Sequence, residues 1–157
     1  MTRIAIGLGA NLGDRLATLR EAASRVAGVA PILARSRVWE TAPVGGPEQP
    51  DYLNAALLVE WSGDPLALLD ALMEIEAELG RVRGVVNGPR TIDLDVLWID
   101  GVVVDERRLV VPHPRLRVRA FALAPMLEVA PGAIDPRDGA VLTAPYDADV
   151  RALSYEL

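Results

Sequence analysis

Asp93 and Asp95 stand two residues apart in the run Gly88-Pro89-Arg90-Thr91-Ile92-Asp93-Leu94-Asp95, alternating with Ile92, Leu94, Val96 and Trp98. That is the period of a β-strand, with both carboxylates on one face and the apolar side chains on the other. Side chains so spaced lie roughly 6 to 7 Å apart along the strand. Two carboxylates on one face repel unless a cation sits between them. A donor set made only of oxygens, in a site that keeps waters, suits Mg²⁺. Arg81, Arg83 and Arg90 lie just upstream, and guanidinium forks match the geometry of phosphate oxygens. A bare Asp-x-Asp is short, and taken alone it is more often an exposed strand edge with two solvated aspartates. The arginines move the reading toward a metal and polyphosphate site.

A second group of residues suits a flat heterocycle. Tyr52 and Asn54 share a strand face at spacing two, Phe121 is the single phenylalanine, and His113 is the single histidine, between Pro112 and Pro114. One aromatic from each half of the chain offers rings to stack on, and an amide can read a ring edge. Singly, each has a plainer explanation: Phe121 as core, His113 as a loop hydrogen bond, Asn54 satisfied by neighbouring backbone.

These residues need a scaffold. Arg3 to Leu8 predicts a short strand ended by the turn-prone Gly9-Ala10-Asn11. Leu12 to Ala27 predicts a helix, with Leu12, Leu16, Leu19, Ala23 and Val26 on one stripe and Gly28 as its stop. Ile32 to Thr41 predicts a second strand, residues 42 to 51 a loop rich in Pro and Gly, and Tyr52 to Trp61 a third strand. Asp64 caps a helix that begins at Pro65 and runs to about Leu79, its stripe formed by Leu68, Leu69, Leu72, Ile75 and Leu79. The loop 80 to 90 leads into the Asp93/Asp95 strand, and Asp100-Gly101 predicts a hairpin turn into a strand over Val102 to Val104. A last helix spans about Ala120 to Val129, followed by a loop-rich tail with a short strand near Val141. The order is that of a ferredoxin-like α+β fold, βαββαβ, an antiparallel sheet with helices on one face, plus a C-terminal helix and hairpin additions. It implies no function by itself.

Length and composition narrow the options. At 157 residues and 51% hydrophobic, the chain predicts one globular domain over 1–157, with no internal repeat and no linker. No apolar stretch reaches membrane-spanning length and no basic-then-apolar leader opens the chain, so we expect a cytoplasmic protein without membrane partners. The absence of cysteine excludes disulfides and thiolate metal sites. A net charge of −6 argues against a general nucleic-acid binder. Every basic residue other than the histidine is arginine, and half of the arginines fall between Arg81 and Arg119. An acidic chain with one arginine-dense stretch points to a compact anionic ligand.

Several segments, in order, resemble a known family. They are Gly9-Ala10-Asn11-Leu12-Gly13-Asp14-Arg15, Glu40 to Gly45, Gln49 to Ala56, Glu76 with Leu79 to Arg83, Gly88 to Asp95, Val111 to Pro114, and Arg119-Ala120-Phe121. Together they resemble the 6-hydroxymethyl-7,8-dihydropterin pyrophosphokinases of folate biosynthesis, over nearly the whole chain. The resemblance implies a ferredoxin-like enzyme that moves pyrophosphate from MgATP to the pterin hydroxymethyl and releases AMP. It implies two Mg²⁺ ions on Asp93 and Asp95, with Arg81 and Arg90 as catalytic partners. Glu76, Arg81, Arg90, Arg108, His113 and Arg119 match nucleotide-site positions. Thr41, Ala42, Val44, Tyr52, Asn54 and Phe121 match the pterin pocket. Its substrates are ATP and the hydroxymethyldihydropterin, and we expect it to work as a monomer.

The chain departs from this pattern between Arg83 and Gly88. The family carries an arginine and a tryptophan there, in a loop that closes over substrates; here the residues are Gly84-Val85-Val86-Asn87, one shorter. Ala10 also replaces a more usual serine. Two other functions use the same residues: a two-metal phosphodiesterase, which needs no pterin pocket, and a ligand-sensing module with vestigial catalytic groups. Pterin-dependent formation of AMP from ATP separates both from the pyrophosphokinase.

Overall fold

A computed structural model gives the fold of the chain and describes residues 1–42, 48–80 and 91–157. Strand β1 (Thr2–Ala10) is its axis, paired antiparallel on one side with β4 (Tyr52–Trp61) and on the other with β5 (Asp93–Ile99). With both edges occupied, β1 does not stop at Leu8. Gly9 pairs with Asn54 and with Asp93, and Ala10 with Leu53, so two ladders override the turn tendency of Gly9-Ala10-Asn11. Helix α1 (Arg15–Ala27) starts later than its hydrophobic stripe suggests. Asp14 sets the start, its carboxylate accepting the Ala17 N–H at 3.0 Å, and Leu12 is left outside, 40% exposed.

The expected strand over Ile32 to Thr41 is broken in two, β2 (Ile32–Arg35) and β3 (Arg37–Thr41), both lying along β4. Ser36 makes the break. Its hydroxyl accepts the Ala56 N–H at 2.8 Å and donates to the Arg37 carbonyl at 2.6 Å, so a side chain takes a backbone group's place in the ladder. Helix α2 (Pro65–Glu78) follows the sequence closely, with the Asp64 carboxylate accepting the Leu66 N–H. The order β5-β1-β4-β3, with β2 and β3 counted as one interrupted strand, is the ferredoxin-like arrangement.

The two faces of this sheet are covered differently. Ile4, Ile6, Leu8, Leu53, Ala55, Leu57, Leu94 and Val96 pack beneath α1 and α2. Helix α3 (Ala120–Val129) lies on the opposite face, its Leu123 and Met126 packed with Ala5, Ala56, Leu58, Leu97 and Trp98. Trp98 therefore does not share a face with Leu94 and Val96. A β-bulge intervenes: Ala5 pairs with Trp98 and Ile6 with Val96, leaving Leu97 as the extra residue. The bulge resets the alternation and turns Trp98 under α3, where its indole N–H donates to the Ile134 carbonyl at 2.9 Å.

Beyond β5 the expected hairpin shrinks to one bridge, Ile99 to Val102, closed by Gly101 at φ 69°. The chain instead forms its own two-stranded sheet, β6 (Val104–Glu106) with β7 (Leu109–Val111). The short strand expected near Val141 is also a single bridge, to Ile134. A strand that the sequence did not suggest, β8 (Val150–Glu156), pairs with β3 and extends the sheet edge. Among the described residues no helix is long and apolar enough to cross a membrane.

The tail is fastened by a charge cluster. Asp135 is fully buried; its carboxylate accepts the Arg137 backbone N–H at 2.9 Å and lies 2.6 Å from the Arg137 guanidinium and 3.2 Å from that of Arg117. Arg117 also forks onto Asp138, at 2.8 and 2.7 Å, and holds that carboxyl down to about 2. Arg137 and then its own backbone N–H and Arg117 likewise lower Asp135, against the opposing effect of burial. Asp135→Ala should cost about 1 to 3 kcal/mol at neutral pH, the penalty for stranding its partners. Because the folded-state pKa is lowered, that stability exists above the unfolded carboxyl value near ~4 and fades as the pH falls below it. Urea unfolding of both proteins at pH 7 and pH 3 checks this: the gap should narrow in acid, and an equal gap would assign the loss to packing alone.

Candidate active site

On the face that carries α3, the helix covers only part of the sheet. The uncovered part is a cavity of about 330 Å³, floored by β4, β1 and β5. The strand register lines up its floor in rows. Asn54 pairs with Gly9, which pairs with Asp93, and Ala56 pairs with Gly7, which pairs with Asp95. An amide and a carboxylate thus flank a strand that carries no side chain there, separated by two strand spacings, or about 10 Å. The glycines are needed. A Cβ on Gly9 would meet the Asn54 Oδ1 at 3.0 Å, and one on Gly7 would meet the Leu97 side chain at 3.0 Å.

Asn54 is 8% exposed, and its amide nitrogen donates to the Thr41 hydroxyl at 2.7 Å. That is its single side-chain bond among the described residues, so Oδ1 is a buried acceptor facing the cavity with capacity to spare. Thr41, Ala42, Tyr52 and Phe121 line the same cavity. Phe121 is half-buried at the start of α3 and belongs to neither apolar cluster. The Arg119 guanidinium stands 5.9 Å from its ring centroid. At the other end of the floor Asp93 and Asp95 line the cavity together. Among the described residues there is no group of three or more His, Cys, Asp or Glu able to hold a metal ion alone. A carboxylate pair that leaves the remaining positions to water and phosphate oxygens fits Mg²⁺, which is commonly held that way.

Comparison with known proteins shows the family of the chain. The family model for 7,8-dihydro-6-hydroxymethylpterin-pyrophosphokinase matches residues 5–131. The chain belongs to this family. The 2-amino-4-hydroxy-6-hydroxymethyldihydropteridine pyrophosphokinase of Methylorubrum extorquens is 45% identical over 133 residues, 83% of this chain and 84% of that protein. The protein of the same name from Bacillus subtilis is 42% identical over 126 residues, 79% of this chain and 75% of that one. The solved wild-type HPPK-DHPS of Plasmodium falciparum superposes with a TM-score of 0.66, over 90% of this chain at 12% identity, a likeness of fold. This chain covers 43% of that longer one.

Several family segments prove structural here. Asn11 is buried, and its amide donates to Gln49 Oε1 at 2.8 Å and to the Pro50 carbonyl at 3.1 Å. Arg15 donates to the Asp51 carbonyl at 2.8 Å and pairs with Glu40. The opening segment therefore ties down the approach to Tyr52 and Asn54 from outside the cavity.

Three residues assigned by resemblance to the nucleotide do not line the cavity: Glu76, Arg108 and His113. Glu76 is buried in α2, with its Oε2 accepting the Leu94 N–H at 2.8 Å. Arg108, in the β6–β7 turn, pairs with Asp70 on α2. Val44, Arg81, Arg90 and the shortened stretch 84–87 lie outside the described residues. Residues that sequence reasoning passed over include Gly7, Arg115 and Asp147, all lining the cavity, and Gly9 as part of its floor. Val150 pairs with Thr41, so the turn before β8 brings Asp147 to the Thr41–Ala42 end. The alternation Gly7-Leu8-Gly9 in an apolar strand was the available signal for the floor.

His113 is half-buried, and its Nδ1 accepts the Arg115 N–H at 3.0 Å, which leaves Nε2 to carry the proton of the neutral ring. Burial, then the charges of Arg119, Arg115 and Arg137, lower its pKa. In acid the unfolded chain therefore takes up a proton that the folded chain resists. Stability from this ring is fully present above the unfolded value near ~6.5 and declines as pH falls toward the lower folded value. His113→Asn keeps an acceptor for Arg115 and removes the titration. The stability gap between wild type and variant, measured by urea unfolding, should narrow from pH 7.5 to pH 5.5; a constant gap would mean that the ring is not held neutral.

Proposed function

We propose that this cavity transfers pyrophosphate from MgATP to the hydroxymethyl group of 6-hydroxymethyl-7,8-dihydropterin, releasing AMP, in folate biosynthesis. The observation that carries the assignment of residues is the row Asn54–Gly9–Asp93 across three strands. It puts an amide with a spare acceptor at one end of a flat floor and a carboxylate pair at the other. A pterin laid on that floor offers its amino and ring N–H groups to Asn54 Oδ1, with Thr41 and Ala42 beside them. Tyr52 and Phe121 provide ring faces for stacking, and the hydroxymethyl arm points toward Asp93 and Asp95. The proposed pterin subsite also includes Val44.

Asp93 and Asp95 are the Mg²⁺ ligands in this proposal, with two ions per site. Bound there, Mg²⁺ supplies charge neutralisation along the polyphosphate and orients its oxygens. The hydroxymethyl oxygen attacks the β-phosphorus in line. A new O–P bond forms as the bond from the β-phosphorus to the α–β bridging oxygen breaks, and AMP leaves with that oxygen. The hydroxyl proton passes to Asp93, Asp95 or solvent. Such transfer needs positioning and counter-charge more than covalent chemistry. Arg119, at the cavity wall, supplies counter-charge, and Arg81 and Arg90 are proposed as its partners, with Arg108 and His113 contributing to the nucleotide site. One domain over 1–157, a monomeric working unit and a cytoplasmic location complete the proposal.

The direct test follows AMP from ATP and Mg²⁺ with and without the hydroxymethyldihydropterin. Turnover that depends on the pterin is expected, and pterin-independent cleavage of ATP would sink the assignment. Asp95 is exposed on its strand, so Asp95→Ala should fold normally yet lose turnover by a factor of 100 or more, on the order of 3 kcal/mol. A folded Asp95→Ala that keeps most of the Mg²⁺-dependent rate would refute the metal assignment. Gly9→Ala should push the Asn54 amide aside and weaken pterin binding by about 1 to 2 kcal/mol, the value of one hydrogen bond. Calorimetric titration should find binding of a non-hydrolysable ATP analogue unchanged in that variant; equal losses for both ligands would mean general damage to the sheet.

A further inference from the structure

Glu76 is 3% exposed, on a helix whose Leu68, Leu72 and Ile75 are packed into the core on the face opposite the cavity. Its Oε2 reaches the backbone N–H of Leu94, the residue between Asp93 and Asp95. Strand β5 ends the described sheet on its side. Alternate N–H groups of such a strand point outward, with no further ladder to receive them. Here a carboxylate from α2 receives the one that lies midway between the two metal-binding candidates. At 2.8 Å this bond ties the strand edge to α2.

We propose that Glu76 is a positioning residue and not a ligand of the nucleotide. It clamps the outer edge of β5 to α2 and so fixes the separation and direction of Asp93 and Asp95 across the strand. Partners that orient metal ligands are worth about 10- to 100-fold in metal affinity. The inference deepens the proposed function and rests on its assignment of the aspartate pair.

The test compares Glu76→Gln, Glu76→Asp and Glu76→Ala by two measurements, with a calorimetric titration of the hydroxymethyldihydropterin as a control. One is hydrogen exchange of the Leu94 amide in the protein without metal or substrate. The other is calorimetric titration of a non-hydrolysable ATP analogue with and without Mg²⁺. Glutamine keeps an acceptor oxygen at the same reach without the charge; aspartate keeps the charge and falls one methylene short. Glu76→Gln should retain protection at Leu94 and most of the Mg²⁺-dependent affinity. Glu76→Asp should lose both, its Mg²⁺-dependent affinity falling about 10-fold or more, while pterin affinity stays unchanged. Glu76→Ala should behave as Glu76→Asp if it folds, and the Gln and Asp pair decides the matter if it does not. The opposite ranking, with Asp near wild type and Gln impaired, would make Glu76 a charge acting on the ligand and overturn the proposal. Loss of Leu94 protection with undiminished Mg²⁺-dependent affinity would overturn it too. Asp95→Ala serves as the reference. If that variant keeps Mg²⁺-dependent binding, the aspartate assignment itself has failed, whatever the Leu94 amide shows.

Discussion

Strand β1 is held by a backbone ladder on each edge, and the site depends on that double pairing. Register in an antiparallel sheet is discrete: a slip of one residue would turn every side chain to the other face. With β4 and β5 both keyed to β1, Asn54 and Asp93 are locked into one row although they come from distant parts of the sequence. The same lock explains why Gly7 and Gly9 stand in an otherwise apolar strand. Each faces the cavity, and a methyl group at either position would press on a neighbour at 3.0 Å. The strand gives up apolar contact on that face to leave room for a ligand, and recovers it on the other, where Ile6 and Leu8 are buried under α1 and α2.

The sheet can carry a site because its second face is only half covered. The bulge at Leu97 marks the border. On one side of it Asp93 and Asp95 stand in the cavity; on the other, Leu97 and Trp98 pack beneath α3. Without the extra residue, strict alternation would take Trp98 away from α3 and remove the largest side chain from that cluster. The bulge thus lets one strand serve polar chemistry at its start and a tightly packed core at its end. Phe121 sits where α3 begins, at the boundary between these regions, which is why it faces the cavity and joins no core cluster.

Much of this was legible in the sequence, and the exceptions have physical causes. The bounds of β4 and α3 were expected as found, because β4 is a mostly apolar run that follows a loop rich in Pro and Gly, and α3 comes after Pro112-His113-Pro114. The aspartate pair, Tyr52, Asn54 and Phe121 were singled out from residue type and spacing, and they come together around one cavity. The bulge and the break at Ser36 were not visible, since each is decided by a partner strand rather than by local propensity. Strand β8 was missed because its burial does not alternate and four of its seven residues, Arg151, Ser154, Tyr155 and Glu156, are polar or exposed aromatic. Asp147 was missed with it. Glu76 carried a family position but no sign of its bond to Leu94, which exists only once α2 is laid against the sheet.

Three arginines of the dense stretch, Arg115, Arg117 and Arg119, have distinct surroundings. Arg115 and Arg119 line the cavity and enter no ion pair among the described residues, whereas Arg117 between them is spent on Asp135 and Asp138. Arg117 anchors the 3-10 turn at Leu116–Val118 to the tail. The charge of the two cavity arginines also bears on His113, whose pKa is lowered first by burial and then by Arg119 and Arg115. A compact polyanion would meet the same field with the opposite sign of energy. The acidic net charge of the chain is therefore no obstacle to binding one: among the described residues Arg117 is neutralised by its ion pairs, while Arg115 and Arg119 keep their charge at the cavity.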